Sequence, residues 1–170
     1  MKKNQIFIKC GTEYTEMTKE LLEVCDLAGE IEQKLEKCGK KKVDCSIDFA
    51  ENQDHENDLY NMRISIKPNL VAPMEACWGG TTHPEVVAGI VEYLQEKGFS
   101  NLVIMEGSWV GDKTSESYEV CGYKSLCEKY NVPFLDMQKE NGVPIECGDM
   151  TLNICKSVPE LDFLINVPVL

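Results

Sequence analysis

One arrangement along the chain restricts its fold more than any other. Met62-Arg63-Ile64-Ser65-Ile66-Lys67 is a β-rich run stopped by Pro68. A helical period follows from Thr82 to Lys97, with Val86, Val87, Ile90, Val91 and Leu94 on one face. Gly98 ends it, and Leu102-Val103-Ile104-Met105 is a continuous apolar run of the kind that forms a strand covered on both sides. Strand, helix and buried strand in this order make a βαβ unit. Such crossovers are right-handed and build parallel sheets. The expected fold is therefore α/β, a Rossmann-like three-layer arrangement on a mostly parallel sheet.

The remaining segments extend that plan. Gln5 to Lys9 reads as a short strand. Thr15 to Cys38 reads as a helix with an apolar stripe of Met17, Leu21, Leu22, Cys25, Ala28, Ile31, Leu35 and Cys38, stopped by Gly39 and open to division at Gly29. Val43, Cys45, Ile47 and Phe49 alternate as in a half-buried strand, and the acidic stretch from Glu51 to Asp58 reads as a surface loop. Ser115 to Tyr130 is helical in pattern with a break near Gly122, and Phe134-Leu135, Met150 to Cys155 and Phe163 to Val167 are further strands. At 170 residues, one domain and one core are expected over 1–170. The apolar close, Asp162 to Leu170, is an unusual terminus, so the sequence reads as the N-terminal part of a larger domain. An incomplete sheet with an unpaired edge favours a homo-oligomer.

Seventeen Lys and Arg against 29 Asp and Glu give a net charge of −12. Nucleic-acid binding needs a basic footprint, and an anionic membrane surface repels this balance. No run approaches the roughly 20 apolar residues of a membrane span. Ile6-Phe7-Ile8 is too short for a signal peptide, which places the chain in the cytoplasm. The nine cysteines form no Cys-x-x-Cys pair and read as reduced core filler, the alternative being a metal site assembled from thiols distant in sequence.

In open α/β sheets, ligands bind beyond the carboxyl ends of the strands. The polar residues there are Lys67 and Asn69, then Glu106, Gly107 and Ser108, then Asn166. Gly79-Gly80-Thr81-Thr82 feeds the central helix. A glycine turn at a helix N-terminus offers free N–H groups and partial positive charge, and Lys67 would add a full one, which suits a carboxylate or phosphate. The spacing is neither a Walker A loop nor a dinucleotide fingerprint, so no motif encodes a cofactor. Lys67 and Glu106 are the candidate catalytic residues, Glu106 as acid/base or metal ligand. Asn69, Thr81, Thr82, Gly107, Ser108 and Asn166 are the candidate ligand contacts. Each has a structural alternative: Thr82 and Glu85 have capping-box spacing, while Lys67 and Glu106 also suit solvent. Cys77 and His83 are weak metal candidates, since one Cys and one His occur together by chance. Trp78 and Trp109 flank loop glycines, either as lid or stacking residues or as the packed undersides of loops.

At these residues the chain resembles a known family. Ile64-Ser65-Ile66-Lys67-Pro68-Asn69-Leu70-Val71, Thr81-Thr82-His83-Pro84-Glu85-Val86-Val87, Gly98-Phe99, Val103-Ile104-Met105-Glu106-Gly107-Ser108 and Asp162 to Leu170 are similar, in order, to the signatures of the bacterial and archaeal domain of unknown function 362 (DUF 362). The likeness runs over about residues 60 to 170. It implies a following Lys-x-His region, which this sequence does not reach, and a frequent iron–sulfur ferredoxin module, whose cysteine clusters are absent here. The organisation also resembles, at the level of fold, the N-terminal half of nickel-pincer lactate racemases. The racemase histidines and lysine have no clear counterparts.

Two classes of function follow. The first is an enzyme, or its ligand-binding half, acting on a small anionic metabolite, with a metal or redox link. On that view Lys67→Ala abolishes anion binding and leaves the melting temperature nearly unchanged. The second is a non-enzymatic partner-binding or electron-transfer accessory module that docks through its acidic surface.

Overall fold

A computed structural model describes residues 5–37 and 61–169. Two helices come first, α1 (Tyr14–Val24) and α2 (Leu27–Lys37). Then follow β1 (Ile64–Pro68), α3 (Pro84–Glu96), β2 (Leu102–Glu106), α4 (Thr114–Val120), α5 (Tyr123–Tyr130), β3 (Phe134–Asp136), β4 (Gly142–Cys147), β5 (Met150–Cys155) and β6 (Phe163–Val167). β1–α3–β2 is the βαβ unit anticipated from the pattern. Four strands form one parallel sheet in the order β3-β2-β1-β6, while β4 and β5 make a separate antiparallel ribbon. The sheet is flanked by helices, which is the Rossmann-like α/β arrangement.

The strand order fixes where a ligand can sit. From β1 the chain steps to β2 and β3, then returns to the far side of β1 as β6. β1 and β6 are thus parallel neighbours, and their carboxyl ends lie side by side, the edge at which open α/β sheets bind ligands. Lys67 lies beside Asn166 in the register, and Pro68 beside Val167.

Strand alternation decides which residues leave this edge for the core. Ile64 and Ile66 of β1 and Leu102 and Ile104 of β2 are buried against Val87, Ile90, Val91 and Leu94 of α3 and Leu126 of α5. Phe163, Ile165 and Val167 of β6 pack against the same cluster. Each fully buried aliphatic side chain contributes about 1.5–3 kcal/mol. The next layer depends on one glycine. Gly89 of α3 lets α1 approach so closely that a Cβ there would stand 2.5 Å from the Thr15 carbonyl oxygen. Lys19 clamps the rim, its Nζ 3.3 Å from Glu92 and 2.6 Å from Glu96.

Several expectations are corrected. Gln5 to Lys9 forms no strand; Ile6 and Ile8 are exposed, and among the described residues no strand lies beside them. The first helical region divides at Asp26, not Gly29. Asp26 takes φ 50°, a conformation aspartate tolerates, and its Oδ1 accepts the Gly29 N–H at 3.3 Å, so it caps α2. β4 is a strand beyond those expected; it contains Pro144, which a strand paired on one side only can hold. Gly122 does separate α4 from α5, with φ 81°. The strand expected at Val43 to Phe49, the loop at Glu51 to Asp58, Cys38, Gly39 and Cys45 lie outside the described residues. Among the described residues, no helix is long and apolar enough to cross a membrane.

Candidate functional site

Three segments meet at the carboxyl edge: the loop after β1, the loop after β2 and the end of β6. Glu106 is the last residue of β2 and is only 3% exposed. Its Oε1 accepts the Leu70 N–H at 3.1 Å. Its Oε2 accepts no well-directed hydrogen bond; its compensation is the Lys67 ammonium 2.6 Å away. Lys67 keeps about a third of its side chain exposed (34%), and its Nζ also reaches the Pro68 carbonyl at 3.4 Å. The pair thus has a buried acidic end and a cationic end that touches water.

The hydroxyls expected at a ligand turn inward instead. Thr82 Oγ1 donates to the Val167 carbonyl at 2.7 Å and accepts the Asn69 N–H at 2.9 Å, which ties β6 to the loop after β1. Thr81 Oγ1 donates to the Met74 carbonyl at 3.1 Å. Ser108 Oγ lies 2.7 Å from the Leu70 carbonyl and 2.8 Å from Ser117 Oγ. Asn69 Nδ2 donates to the Gly80 carbonyl at 2.9 Å. Gly107 packs on the turn that follows β3, with room for no more than a Cβ 3.3 Å from Met137 Cβ. Asn166 is exposed next to Lys67.

The capping box is also corrected. The N-cap of α3 is His83, without a side-chain cap, and Pro84 occupies the first turn. The Thr82 hydroxyl cannot cap because the returning β6 carbonyl takes it. Nor does the α3 N-terminus gather positive charge. A cavity of about 530 Å³ opens there, lined by Thr12, Glu13, Tyr14, Thr15, Glu16, His83 and Glu85. Three carboxylates repel an anion, so the Lys67 edge and not this cavity suits one. His83 lies 3.8 Å from Glu85 and stacks on Tyr14 at 4.6 Å, while Cys77 is exposed beside Glu75. Among the described residues, no three His, Cys, Asp or Glu side chains are grouped to hold a metal ion.

Four residues that sequence reasoning passed over hold the site together. Gln138 Nε2 donates to the Ser108 and Asp112 carbonyls at 3.0 Å, and its Oε1 accepts the Thr114 N–H at 3.0 Å. Thr114 Oγ1 accepts the Ser108 N–H. Ser117 completes the pair with Ser108. Tyr123 Oη donates to the Thr82 carbonyl at 3.1 Å, and burial raises its pKa, so it stays a neutral donor. A polar side chain in the middle of a helical or turn pattern gives no signal of this kind until the loops are brought together.

Cys121 and Cys127 are buried, Cys25 and Cys155 half-buried, and Cys10, Cys77 and Cys147 exposed. Burial raises the Cys121 thiol and pushes Cys127 up to about 11. Core filler therefore describes Cys121 and Cys127 and not the exposed three.

No curated protein and no solved structure matches the chain. Residues 64–170, from the first residue of β1 onward and including every segment of the Lys67–Glu106 edge, match the family described as Domain of unknown function (DUF362), and the chain belongs to that family.

Proposed function

We propose that this domain binds a small anionic metabolite at the carboxyl edge of its sheet, beside the ends of β1 and β6, as the ligand-binding part of an enzyme. The observation that carries the reading is the polarised pair there: a buried Glu106 holding a partly exposed Lys67 at 2.6 Å, next to the exposed Asn166. A cation so placed is restrained before ligand arrives, which reduces the ordering cost of binding. Lys67 is the anion contact and Asn166 its neighbour. Glu106 sets the position of Lys67. Thr81, Thr82, Asn69 and Ser108 brace the loops around it. A metal or redox partner would belong to the reaction and not to a cluster within the described residues. The exposed thiols of Cys10, Cys77 and Cys147 fit a reducing cytoplasm.

Native mass spectrometry tests this on anaerobically purified chain incubated with a small-metabolite extract. Wild-type protein should carry one anionic molecule per chain. The double variant Lys67→Met/Glu106→Gln, which removes both charges together, should carry none. Equal loading of the two proteins would overturn the proposal.

A further inference from the structure

The chain has two tryptophans, and both stand in the loops that leave the carboxyl edge, Trp78 after β1 and Trp109 after β2. Tryptophan is a highly buried residue on average, yet Trp78 is 80% and Trp109 65% exposed. They are not the packed undersides of loops. Trp109 is also held firmly. Its N–H donates to the Val71 carbonyl at 2.9 Å, and the Asp112 N–H donates back to the Trp109 carbonyl at 2.8 Å, closing a turn over Val110 and Gly111. Gln138 fastens that turn from beneath through Ser108 and Asp112. One side of the indole rests on Gly111, where an added Cβ would collide with the ring. What remains is an aromatic surface open to solvent on a fixed turn.

The turn is wired to the charged pair. Glu106 binds the Leu70 N–H, Ser108 binds the Leu70 carbonyl, and Trp109 binds the next carbonyl, that of Val71. Trp78 stands two residues before Gly80, whose carbonyl accepts from Asn69. Cation and aromatic surface therefore belong to one small framework.

Resting on the reading of Lys67 as the anion contact, we infer that the ligand joins its anionic group to a flat aromatic or conjugated body, which stacks on Trp109. An indole carried on a braced turn has only its own rotamers to settle when such a body binds, and its π-face accepts any ring of suitable size.

Isothermal titration with four probes separates this inference from the reading beneath it: phenyl phosphate, methyl phosphate, benzoate and acetate. Wild-type protein should prefer each aryl anion to its alkyl partner by about tenfold. Trp109→Ala should remove that preference while keeping the weaker binding of the alkyl anions. Lys67→Met/Glu106→Gln should remove binding of all four. An absent preference in wild type, or one that survives Trp109→Ala, would overturn the stacking inference and leave the Lys67 reading standing. Binding that survives the double variant would overturn the Lys67 reading itself. No binding of any probe at millimolar concentration would overturn both.

Discussion

Removing the charge of Lys67 should destabilise the protein, and removing the charge of Glu106 along with it should restore most of the loss. Breaking a fully buried ion pair from one side costs about 3–5 kcal/mol, because the other charge stays in a poor solvent. Here Glu106 is nearly inaccessible, but the Leu70 N–H still serves its Oε1, and Lys67 is a third exposed, so water reaches one end of the pair. Those two terms bring the expected cost of Lys67→Met to about 2 kcal/mol. For a chain of this length that is a fall of about 4–8 °C in melting temperature. Glu106→Gln behaves differently. The amide oxygen can still accept from Leu70, and the freed lysine can turn to solvent, so the cost is about 1 kcal/mol or less.

The double variant should lie near Glu106→Gln alone, about 2 kcal/mol short of additivity. Urea and thermal melts followed by circular dichroism on all four proteins close the cycle. If Lys67→Met costs no more than Glu106→Gln, or the two changes add, Glu106 is not the buried uncompensated charge this reasoning requires. The expectation that Lys67→Ala leaves the melting temperature nearly unchanged is replaced by this one. The double variant, with no stranded carboxylate, is accordingly the one to use in binding experiments.

Other consequences follow from the same contacts. Thr82→Val should cost about 1–3 kcal/mol in urea denaturation, because it strands the Asn69 N–H and the Val167 carbonyl, while Thr82→Ser should recover most of it. Gly89→Ala should cost about 1–3 kcal/mol and loosen α1, read as faster amide exchange over Tyr14–Val24, since the methyl group meets the Thr15 carbonyl. Ellman's reagent at pH 8 should label Cys10, Cys77 and Cys147 quickly and Cys121 and Cys127 only on unfolding. Because the folded state holds the Cys127 proton more tightly than the unfolded chain, stability should fall as pH rises above the ordinary thiol value of 9.0 and through about 11, and Cys127→Ala should flatten that part of the profile.

The sequence was informative where one physical rule acted over several neighbouring residues. The apolar run at Leu102–Met105 and the one-sided stripe of Val87, Ile90, Val91 and Leu94 need no knowledge of distant contacts to be read as strand and helix. Gly122 likewise shows its positive φ through its residue type. The failures came where a distant segment took over a local group. Thr82 and Glu85 have the right spacing for a capping box, but the Thr82 hydroxyl meets a carbonyl 85 residues away. Ile6 and Ile8 alternate like a strand and find no ladder.

The same distinction divides the candidate site. Lys67, Asn69, Thr81, Thr82, Glu106, Gly107, Ser108 and Asn166 do converge on one edge, because each lies at or near the end of an element and parallel strands put their carboxyl ends together. Which of them face a ligand was not legible. A loop at such an edge has backbone groups that water does not reach, and each must find a partner. Short hydroxyl side chains are the nearest source, so Thr81, Thr82 and Ser108 are drawn inward to the carbonyls of Met74, Val167 and Leu70. Glu106 is drawn in by the Leu70 N–H. Lys67 has a longer stem and only donors at its tip, so it can compensate Glu106 and still reach solvent. With these hydroxyls turned inward, Lys67, Asn166 and the two tryptophans are the outward-facing residues at this edge on which the identity of the ligand should depend.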